Sequence, residues 1–213
     1  MTEPVKARRY RSPVRAEQAA ATRRAVLVAA RELFTTTGYA GSTVADVARV
    51  AGVSVDTVYA SVGRKPELLL AVHDMALGGG DEPVSAQQRD YVAAVLAAHG
   101  ARAKLETYAA ALAERFPSVV PLAESLRVAA EHDPACRAVL EGLDERRAAN
   151  MRRFAAELRA TGEVRPELTD EQVAHLLWAT NSPAFYRLAT SGGRGPADYA
   201  DLVLDLWTRT LLA

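Results

Sequence analysis

The stretch Ser42–Lys65, STVADVARVAGVSVDTVYASVGRK, carries the strongest structural signal in the 213-residue chain. Thr43, with an aspartate three residues later, forms a capping-box pattern, which predicts that a helix begins there. Gly52 is placed to end this helix in a left-handed conformation, and Ser54 is placed to cap a second helix. Two short helices joined by a tight glycine turn predict a helix-turn-helix within this stretch.

The second helix of such a motif enters the major groove of DNA, where its exposed residues meet base edges. Methyl groups on this helix suit a thymine methyl, and the carboxylate of Asp56 suits a cytosine amino group. Thr43, Tyr59 and Lys65 are predicted to contact phosphates, which position a protein without reading the base sequence. The predicted DNA-binding residues are Thr43, Ser54, Val55, Asp56, Thr57, Tyr59, Ala60, Ser61 and Lys65.

The charge distribution favours a polyanionic partner for the N-terminal part. The formal net charge is zero, but residues 1–65 hold eleven basic and five acidic side chains and therefore carry +6. The remainder of the chain carries −6 and is expected to be repelled by DNA. Because the same helix geometry also occurs in helical proteins that bind no DNA, a helical interaction module is the alternative interpretation.

The sequence around the motif predicts how the N-terminal part is organised. Residues 1–15 are predicted to be a disordered basic arm, which either reaches into an adjacent minor groove or has no role. Residues 16–65 are predicted to be the DNA-binding domain, beginning with an amphipathic helix from about Arg15 to Thr37. A fourth helix over 66–77 is expected to link this domain to the rest, and the glycine run 78–80 marks the break.

The C-terminal part is predicted to be one helical domain over residues 84–213. Its apolar periodicity predicts helices over about 85–99, 102–116, 118–131, 133–161, 169–190 and 196–212. Since strand patterns are nearly absent, the predicted fold class is all-α.

Residues 22–70 resemble the DNA-binding domain of the TetR (tetracycline-repressor) family of transcriptional regulators. The run that carries the resemblance is VLVAARELFTTTGYAGSTVADVARVAGVSVDTVYASVGRKPELL. The chain departs from the usual pattern at Val62, where members often have an aromatic residue, and at Asp56, where they often have a small one. The first departure loosens a packing contact, and the second makes the operator sequence harder to predict.

The resemblance implies an all-α homodimer with a three-helix helix-turn-helix domain and a helical C-terminal domain for ligand binding and dimerisation. Its last two helices, here 169–190 and 196–212, would form the subunit interface. Two-fold symmetry would let one short motif in each subunit read a palindromic operator on double-stranded DNA. The resemblance also implies a small-molecule effector, still unknown, that releases a repressor from its operator. A ligand-independent regulator and an activator of the same fold are the alternatives.

A ligand pocket is expected among the central helices of the C-terminal domain. The candidate ligand-binding residues are Tyr108, Phe116, His132, Met151, Phe154, Trp178 and Asn181. The alternative for each of them is an ordinary packing role in the hydrophobic core. Within the predicted last-but-one helix, Pro183 is expected to produce a kink, where Asn181 and Ser182 either face a cavity or satisfy the freed backbone.

The sequence offers little support for an enzyme. His132 and Cys136 are four residues apart, as in a metal pair or a nucleophile pair, but Pro134 interrupts the helix between them and no third ligand is visible. No catalytic residue, metal or cofactor is therefore predicted. Because no apolar run approaches the roughly 18 residues of a membrane span, a cytoplasmic protein without a membrane partner is expected.

Overall fold

The computed structural model describes residues 13–79 and 86–213, and it confirms the predicted all-α fold class. The predicted basic arm lies outside the described residues over 1–12. It is wrong for residues 13–15, because the first helix begins at Pro13. The helices of the described residues are α1 (Pro13–Thr36), α2 (Gly38–Gly41), α3 (Val44–Ala51), α4 (Val55–Ser61), α5 (Lys65–Gly78), α6 (Asp90–Ala97), α7 (Ala101–Ala130), α8 (Pro134–Arg159), α9 (Asp170–Thr180), α10 (Pro183–Ala189) and α11 (Pro196–Leu211).

The long helix α7 runs without interruption through Pro117, where the sequence predicts a break between two helices, and also through Pro121. Both prolines are exposed, whereas Phe116 and Leu122 beside them are buried. A proline inside a helix costs about 3 kcal/mol relative to alanine, so the burial of these neighbours must offset that cost. The predicted break is wrong because tertiary packing outweighs the local preference of proline.

The predicted helix over 169–190 is divided into α9 and α10. Ser182 Oγ accepts a hydrogen bond from the N–H of Phe185 at 3.1 Å and caps the second of them. Pro183 is the first residue of α10, a position at which the missing N–H of proline costs no helical hydrogen bond. The proline therefore starts a new helix instead of kinking a longer one.

The hydrophobic core of the N-terminal helices includes residues from the C-terminal half of α7. Val26, Phe34 and Val58 are buried in the same cluster as Leu122 and Leu126. These two leucines belong to the part of the chain predicted as the C-terminal domain. The N-terminal part is therefore packed directly against α7 through α1, α2 and α5.

Hydrogen bonds reinforce the junction between the N-terminal helices and α7. The backbone N–H of Tyr39, in the first turn of α2, donates to Ser125 Oγ at 2.9 Å. The guanidinium of Arg31 on α1 donates to Ser118 Oγ at 3.1 Å. A displacement of α7 would therefore disturb hydrogen bonds to two helices of the N-terminal part, α1 and α2.

Asp74 on α5 is the centre of a charge cluster that ties this helix to the C-terminal part. Arg146 on α8 donates to its two carboxylate oxygens at 3.0 and 3.3 Å, and Arg89 lies 3.4 Å from it. Burial by itself would raise the pKa of Asp74, but the nearby His73 imidazole and the hydrogen-bonded Arg146 guanidinium hold this pKa below its usual value. At the end of α5, Arg115 Nε donates to the carbonyl of Leu77 at 3.2 Å.

A second hydrophobic cluster is formed by α6 to α11. Trp207 and Tyr199 on α11 are fully buried at its centre, where both reach Thr180. Trp207 Nε1 donates to Thr180 Oγ1 at 2.7 Å, and the Tyr199 hydroxyl donates to the Thr180 carbonyl at 3.0 Å. These bonds satisfy the polar atoms at the end of α9 inside an apolar core. Among the described helices, none is both long enough and apolar enough to span a membrane.

Replacing Leu126 with alanine is expected to lower the free energy of unfolding by roughly 2–5 kcal/mol, because truncating a buried leucine leaves a cavity. Since Leu126 is 1% exposed and lies in the shared core, α1 and α3 should lose protection as well as α7. Chemical denaturation and hydrogen exchange measure the two effects. The control Val128→Ala, on the same helix but 46% exposed, should change the free energy by less than about 0.5 kcal/mol. Equal effects of the two substitutions would contradict the shared core.

Candidate DNA-binding surface

The first helix of the motif begins at a reciprocal pair of hydrogen bonds. The N–H of Asp46 donates to Thr43 Oγ1 at 3.1 Å, and the N–H of Thr43 donates to Asp46 Oδ2 at 3.1 Å. These bonds form the capping box that the sequence predicts. The Thr43 hydroxyl, which donates to the carboxylate at 2.6 Å, and the nearby Arg49 guanidinium lower the pKa of Asp46.

Gly52 turns the chain from α3 towards α4. Its φ is 68°, a left-handed conformation that side-chain-bearing residues rarely adopt. The N–H of Val53 donates to the carbonyl of Ala48 at 3.0 Å and closes the end of α3. Ser54 Oγ then accepts from the N–H of Thr57 at 3.1 Å and caps α4. These local bonds fix the turn between the two helices.

Burial of Val58 determines which side of α4 faces outward. Its side chain is 0% exposed and lies in one cluster with Val47 and Phe34. Residues two positions away point to the other side of a helix that turns about 100° per residue. Asp56 and Ala60 are accordingly exposed, and they form the middle of the outward face.

The outward face contains most of the residues predicted to bind DNA. Those that are exposed are Thr43, Ser54, Val55, Asp56, Tyr59 and Ala60, and those that are partly exposed are Thr57, Ser61 and Lys65. Val55 and Tyr59 keep 37% and 48% of their surface in contact with solvent. Apolar and aromatic groups presented in this way are available to a partner.

Lys65 is held at the start of α5 by an aromatic ring. Its Nζ lies 4.0 Å from the centroid of the Tyr39 ring, and burial lowers the pKa of its ammonium group. The positive end of a helix and a lysine at the same place form a natural site for a phosphate. The Tyr39 ring limits the positions that the ammonium group can take there.

Several α1 residues that lie beside α4 are absent from the set predicted to bind DNA. Arg15, Gln18 and Thr22 line one groove together with Thr57 and Ser61. Their spacing of three and four residues places them on one face of a helix, which is the signal that identifies them. The sequence-based prediction misses this pattern because it assigns Arg15 to the basic arm, which is expected to extend to residue 15.

The structure brings together six of the seven residues predicted to bind a ligand. They share the second hydrophobic cluster or border it: Tyr108, Phe116, Met151, Phe154, Trp178 and Asn181. The prediction is wrong for His132, which is exposed in the turn between α7 and α8 and is separated from this cluster. The turn exposes His132 because α7 ends at Ala130, beside the N-terminal core.

Asn181 connects the polar groups of this interior. Its amide nitrogen donates to the Tyr108 hydroxyl at 2.6 Å and approaches the Met151 sulfur at 3.1 Å. Its carbonyl oxygen accepts from Arg147 at 2.9 Å. The Arg147 guanidinium lies 4.4 Å from the centroid of the Trp178 ring. Arg147 is absent from the predicted set, although its position four residues before Met151 places both on one side of α8.

His132 and Cys136 do not form the pair that their spacing suggests. His132 is exposed, whereas Cys136 is fully buried, and burial raises the pKa of its thiol. Over residues 13–79 and 86–213, no group of three or more His, Cys, Asp or Glu side chains is arranged to hold a metal ion.

Comparisons with known proteins agree with this arrangement of helices. Residues 26–72 match the family model described as "Bacterial regulatory proteins, tetR family". A search of curated proteins finds no match. The fold is similar to that of a TetR-family transcriptional regulator from Rhodococcus sp., with a TM-score of 0.66, 21% identity and coverage of 90% of this chain and 98% of that chain.

Two further solved structures have the same fold. A transcriptional regulator from Saccharomonospora viridis in complex with choline is 16% identical, with a TM-score of 0.66, over 90% of this chain and 97% of that one. NalD, the secondary repressor of the MexAB-OprM multidrug efflux pump in Pseudomonas aeruginosa, is 19% identical, with a TM-score of 0.63, over 91% and 98%. At these identities the similarity establishes the fold.

The capped helix pair and its glycine turn form a helix-turn-helix, and an all-helical body lies behind it. Residues 26–72, which contain this motif, match the tetR family model, and the fold of the described chain is similar to that of TetR-family regulators.

Replacing Asp46 with asparagine, which mimics the protonated acid, is expected to lower thermal stability and amide protection in α3. The lowered pKa of Asp46 means that its ionised form stabilises the folded state, fully above the unfolded pKa. The difference between Asp46→Asn and the unaltered chain should therefore shrink as the pH falls below about 4, near the ordinary pKa of aspartate. Thermal melts over a pH series measure this difference. A difference that does not change with pH would contradict the role of the carboxylate.

Proposed function

We propose that this protein is a homodimeric repressor that reads a palindromic operator and leaves it when a small molecule binds its C-terminal part. The observation that carries the proposal is the outward face of α4, which is exposed while Val58 behind it is fully buried. A helix held in this way can enter a major groove without rearrangement of the protein.

Chemical groups on the outward face suit particular base edges. Val55 and Ala60 offer methyl groups to a thymine, and Asp56 is able to accept a hydrogen bond from a cytosine amino group. The hydroxyls of Ser54 and Thr57 lie 2.8 Å apart, and the Ser54 hydroxyl also caps α4. We assign sequence reading to the α4 residues and phosphate contact to Thr43, Tyr59 and Lys65.

Dimerisation through α9, α10 and α11 is supported by their exposed apolar surface. Leu188 on α10 is 73% exposed and Leu202 on α11 is 46% exposed. A shallow groove of about 530 Å³ lies along the outer side of α9, with His175 and Leu176 in its lining. Association of two copies through these helices would cover this surface, and it would place two α4 helices about one DNA turn, roughly 34–36 Å, apart.

The effector site is proposed between α7, α8 and α9, where Tyr108, Arg147, Met151, Trp178 and Asn181 are in contact. We call these residues the Asn181 cluster. Tyr108 and Asn181 are buried there, and their polar atoms bond to one another instead of to a ligand. An effector would have to displace or reorient these side chains. Because the surroundings of the site are mostly apolar, they favour a neutral or weakly polar molecule. The structural relative that binds choline supports an effector of low molecular weight.

Transmission to DNA would use the contacts that hold α5 and α7. The effector must bind a state with the wrong separation of the two α4 helices more tightly than the state that fits the operator. Asp74 connects α5 to Arg146 on α8, five residues before Met151 in the Asn181 cluster. Couplings of this kind amount to about 1–3 kcal/mol, which is roughly 5–150-fold in affinity.

Repression is the proposed direction of control, with the repressor NalD as the relative that supports it. A regulator of the same fold that needs no ligand is the second candidate. It is favoured by the close packing of the Asn181 cluster, where the Tyr108 and Phe154 rings are 4.9 Å apart. An activator is the outcome that a reporter experiment would distinguish.

The functional test compares Lys65→Ala with Thr57→Ala. Lys65→Ala should weaken binding to every duplex about equally, whereas Thr57→Ala should change the preference at particular base pairs. An operator selected from a random duplex pool by the unaltered chain, followed by binding to its single-base variants, measures both effects. A base-selective effect of Lys65→Ala would contradict the assigned roles.

The same operator tests the direction of control when it is placed across a reporter promoter. Expression should fall when the unaltered chain is present and recover with Lys65→Ala. A rise in expression would make the protein an activator.

Replacing Leu202 with aspartate is expected to convert the dimer to monomers, because the charge would be buried without a partner at the proposed interface. Sedimentation velocity measures the change. The matched control is Leu96→Asp, because Leu96 on α6 is 45% exposed and lies outside the proposed interface. Dissociation by both substitutions, or by neither, would contradict an interface that includes α11.

A further inference from the structure

The first half of α1 extends beyond the hydrophobic core. Residues 14–21 are all exposed, and the first buried residue of the helix is Val26. With a rise of 1.5 Å per residue, the part before Val26 spans roughly 18 Å. A helix segment of this length without a buried side chain contributes little to the core and leaves its surface available to a partner.

This segment forms one wall of a groove whose other wall is α4. The groove has a volume of about 600 Å³ and is lined by Arg15, Gln18, Ala19, Ala20, Thr22, Arg23, Thr57, Ala60 and Ser61. We call it the α1–α4 groove. Ala60 belongs both to this groove and to the outward face of α4, so the two surfaces are continuous.

A fixed hydrogen bond holds the two walls together. The Arg23 guanidinium on α1 donates to the carbonyl of Ser61, the last residue of α4, at 2.7 Å. The bond joins a positive group to the negative end of a short helix, which is a favourable arrangement. The groove is therefore a preformed feature beside the reading helix.

The two faces of the α1 segment differ in charge. At 100° per residue, Arg15, Ala19 and Thr22 lie on the side that lines the groove. Glu17 lies on the opposite side, so that the acidic group of this segment points away from the groove. The groove side is suited to an anion.

We propose that the α1–α4 groove receives a sugar-phosphate strand of the duplex that α4 reads, with Arg15 and Gln18 as contacts to its phosphates. This inference rests on the proposed function. A helix lying in the major groove has a phosphate backbone along each of its flanks. Thr57 and Ser61 form one flank of α4, and α1 stands beside that flank.

Charge and continuity select DNA over other occupants. The groove shares Thr57 and Ala60 with the surface that faces the bases, and it contributes the cation of Arg15 at its outer end. Phosphate contacts of this type position the protein and raise its affinity without selecting a sequence. The α1 segment would therefore determine the register of α4 in the major groove.

One test adds a negative charge on either side of α1. Ala19→Glu places a carboxylate in the groove, and Ala21→Glu places the same group on the opposite face, where Ala21 is also exposed. Ala19→Glu should weaken binding to a mixed-sequence duplex of about 30 base pairs by roughly fivefold, and Ala21→Glu should leave it nearly unchanged. Both variants should keep the circular dichroism spectrum and melting temperature of the unaltered chain, because the substitutions are on a solvated surface.

A second test removes a positive charge and measures salt dependence. Arg15→Ala should reduce the slope of log affinity against log salt by about one, as expected for one lost phosphate contact. The control is Arg24→Ala, on the opposite face of the same helix. It removes the same charge but should keep the slope.

The outcomes separate the two proposals. Equal affinities and slopes for the paired variants, with salt-sensitive binding by the unaltered chain, would overturn the α1–α4 groove as a DNA contact and leave the proposed function intact. Failure of the unaltered chain to bind any duplex would overturn both. A groove contact that selects bases would appear as a changed preference of Arg15→Ala among single-base variants, which would overturn its assignment to phosphates.

Discussion

The orientation of α4 depends on the burial of Val58. A seven-residue helix has too few backbone hydrogen bonds to be stable alone, so packing has to hold it in place. Val58 enters the cluster of Val47 and Phe34, and its complete burial sets the rotation of α4 about its own axis. The outward face of α4 is the direct consequence, because the residues opposite Val58 have to face away from the protein.

The shared core joins this surface to the rest of the molecule. Leu122 and Leu126 of α7 are as deeply buried as the residues of the helix-turn-helix itself. The bond from Tyr39 to Ser125 and the Asp74 charge cluster add polar connections at two other places. Three separate sets of contacts therefore connect the C-terminal helices to the N-terminal part that holds α4.

The C-terminal core combines apolar packing with buried polar groups. Thr180 and Asn181, at the end of α9, bind Trp207, Tyr199 and Tyr108 through short hydrogen bonds. Such a network is costly if one member is left without a partner, so its arrangement is specific.

Local chemistry made the helix-turn-helix predictable. The capping box at Thr43, the left-handed Gly52 and the cap at Ser54 act within a few residues, so their effects can be read directly from the sequence. The outward set of α4 residues follows from the same segment, because helical periodicity and one apolar position determine it. The all-α class and most helix boundaries are determined in the same way.

Long-range packing decided the remaining features. The sequence around Pro117 favours a break, but buried neighbours in two separate cores keep α7 continuous. Which helices meet in space decides three of these features. His132 lies away from the residues predicted to bind a ligand, Arg147 lies among them, and the first half of α1 lies beside α4. Local propensity carries no information about such meetings, because they are determined by side chains that are far apart along the chain.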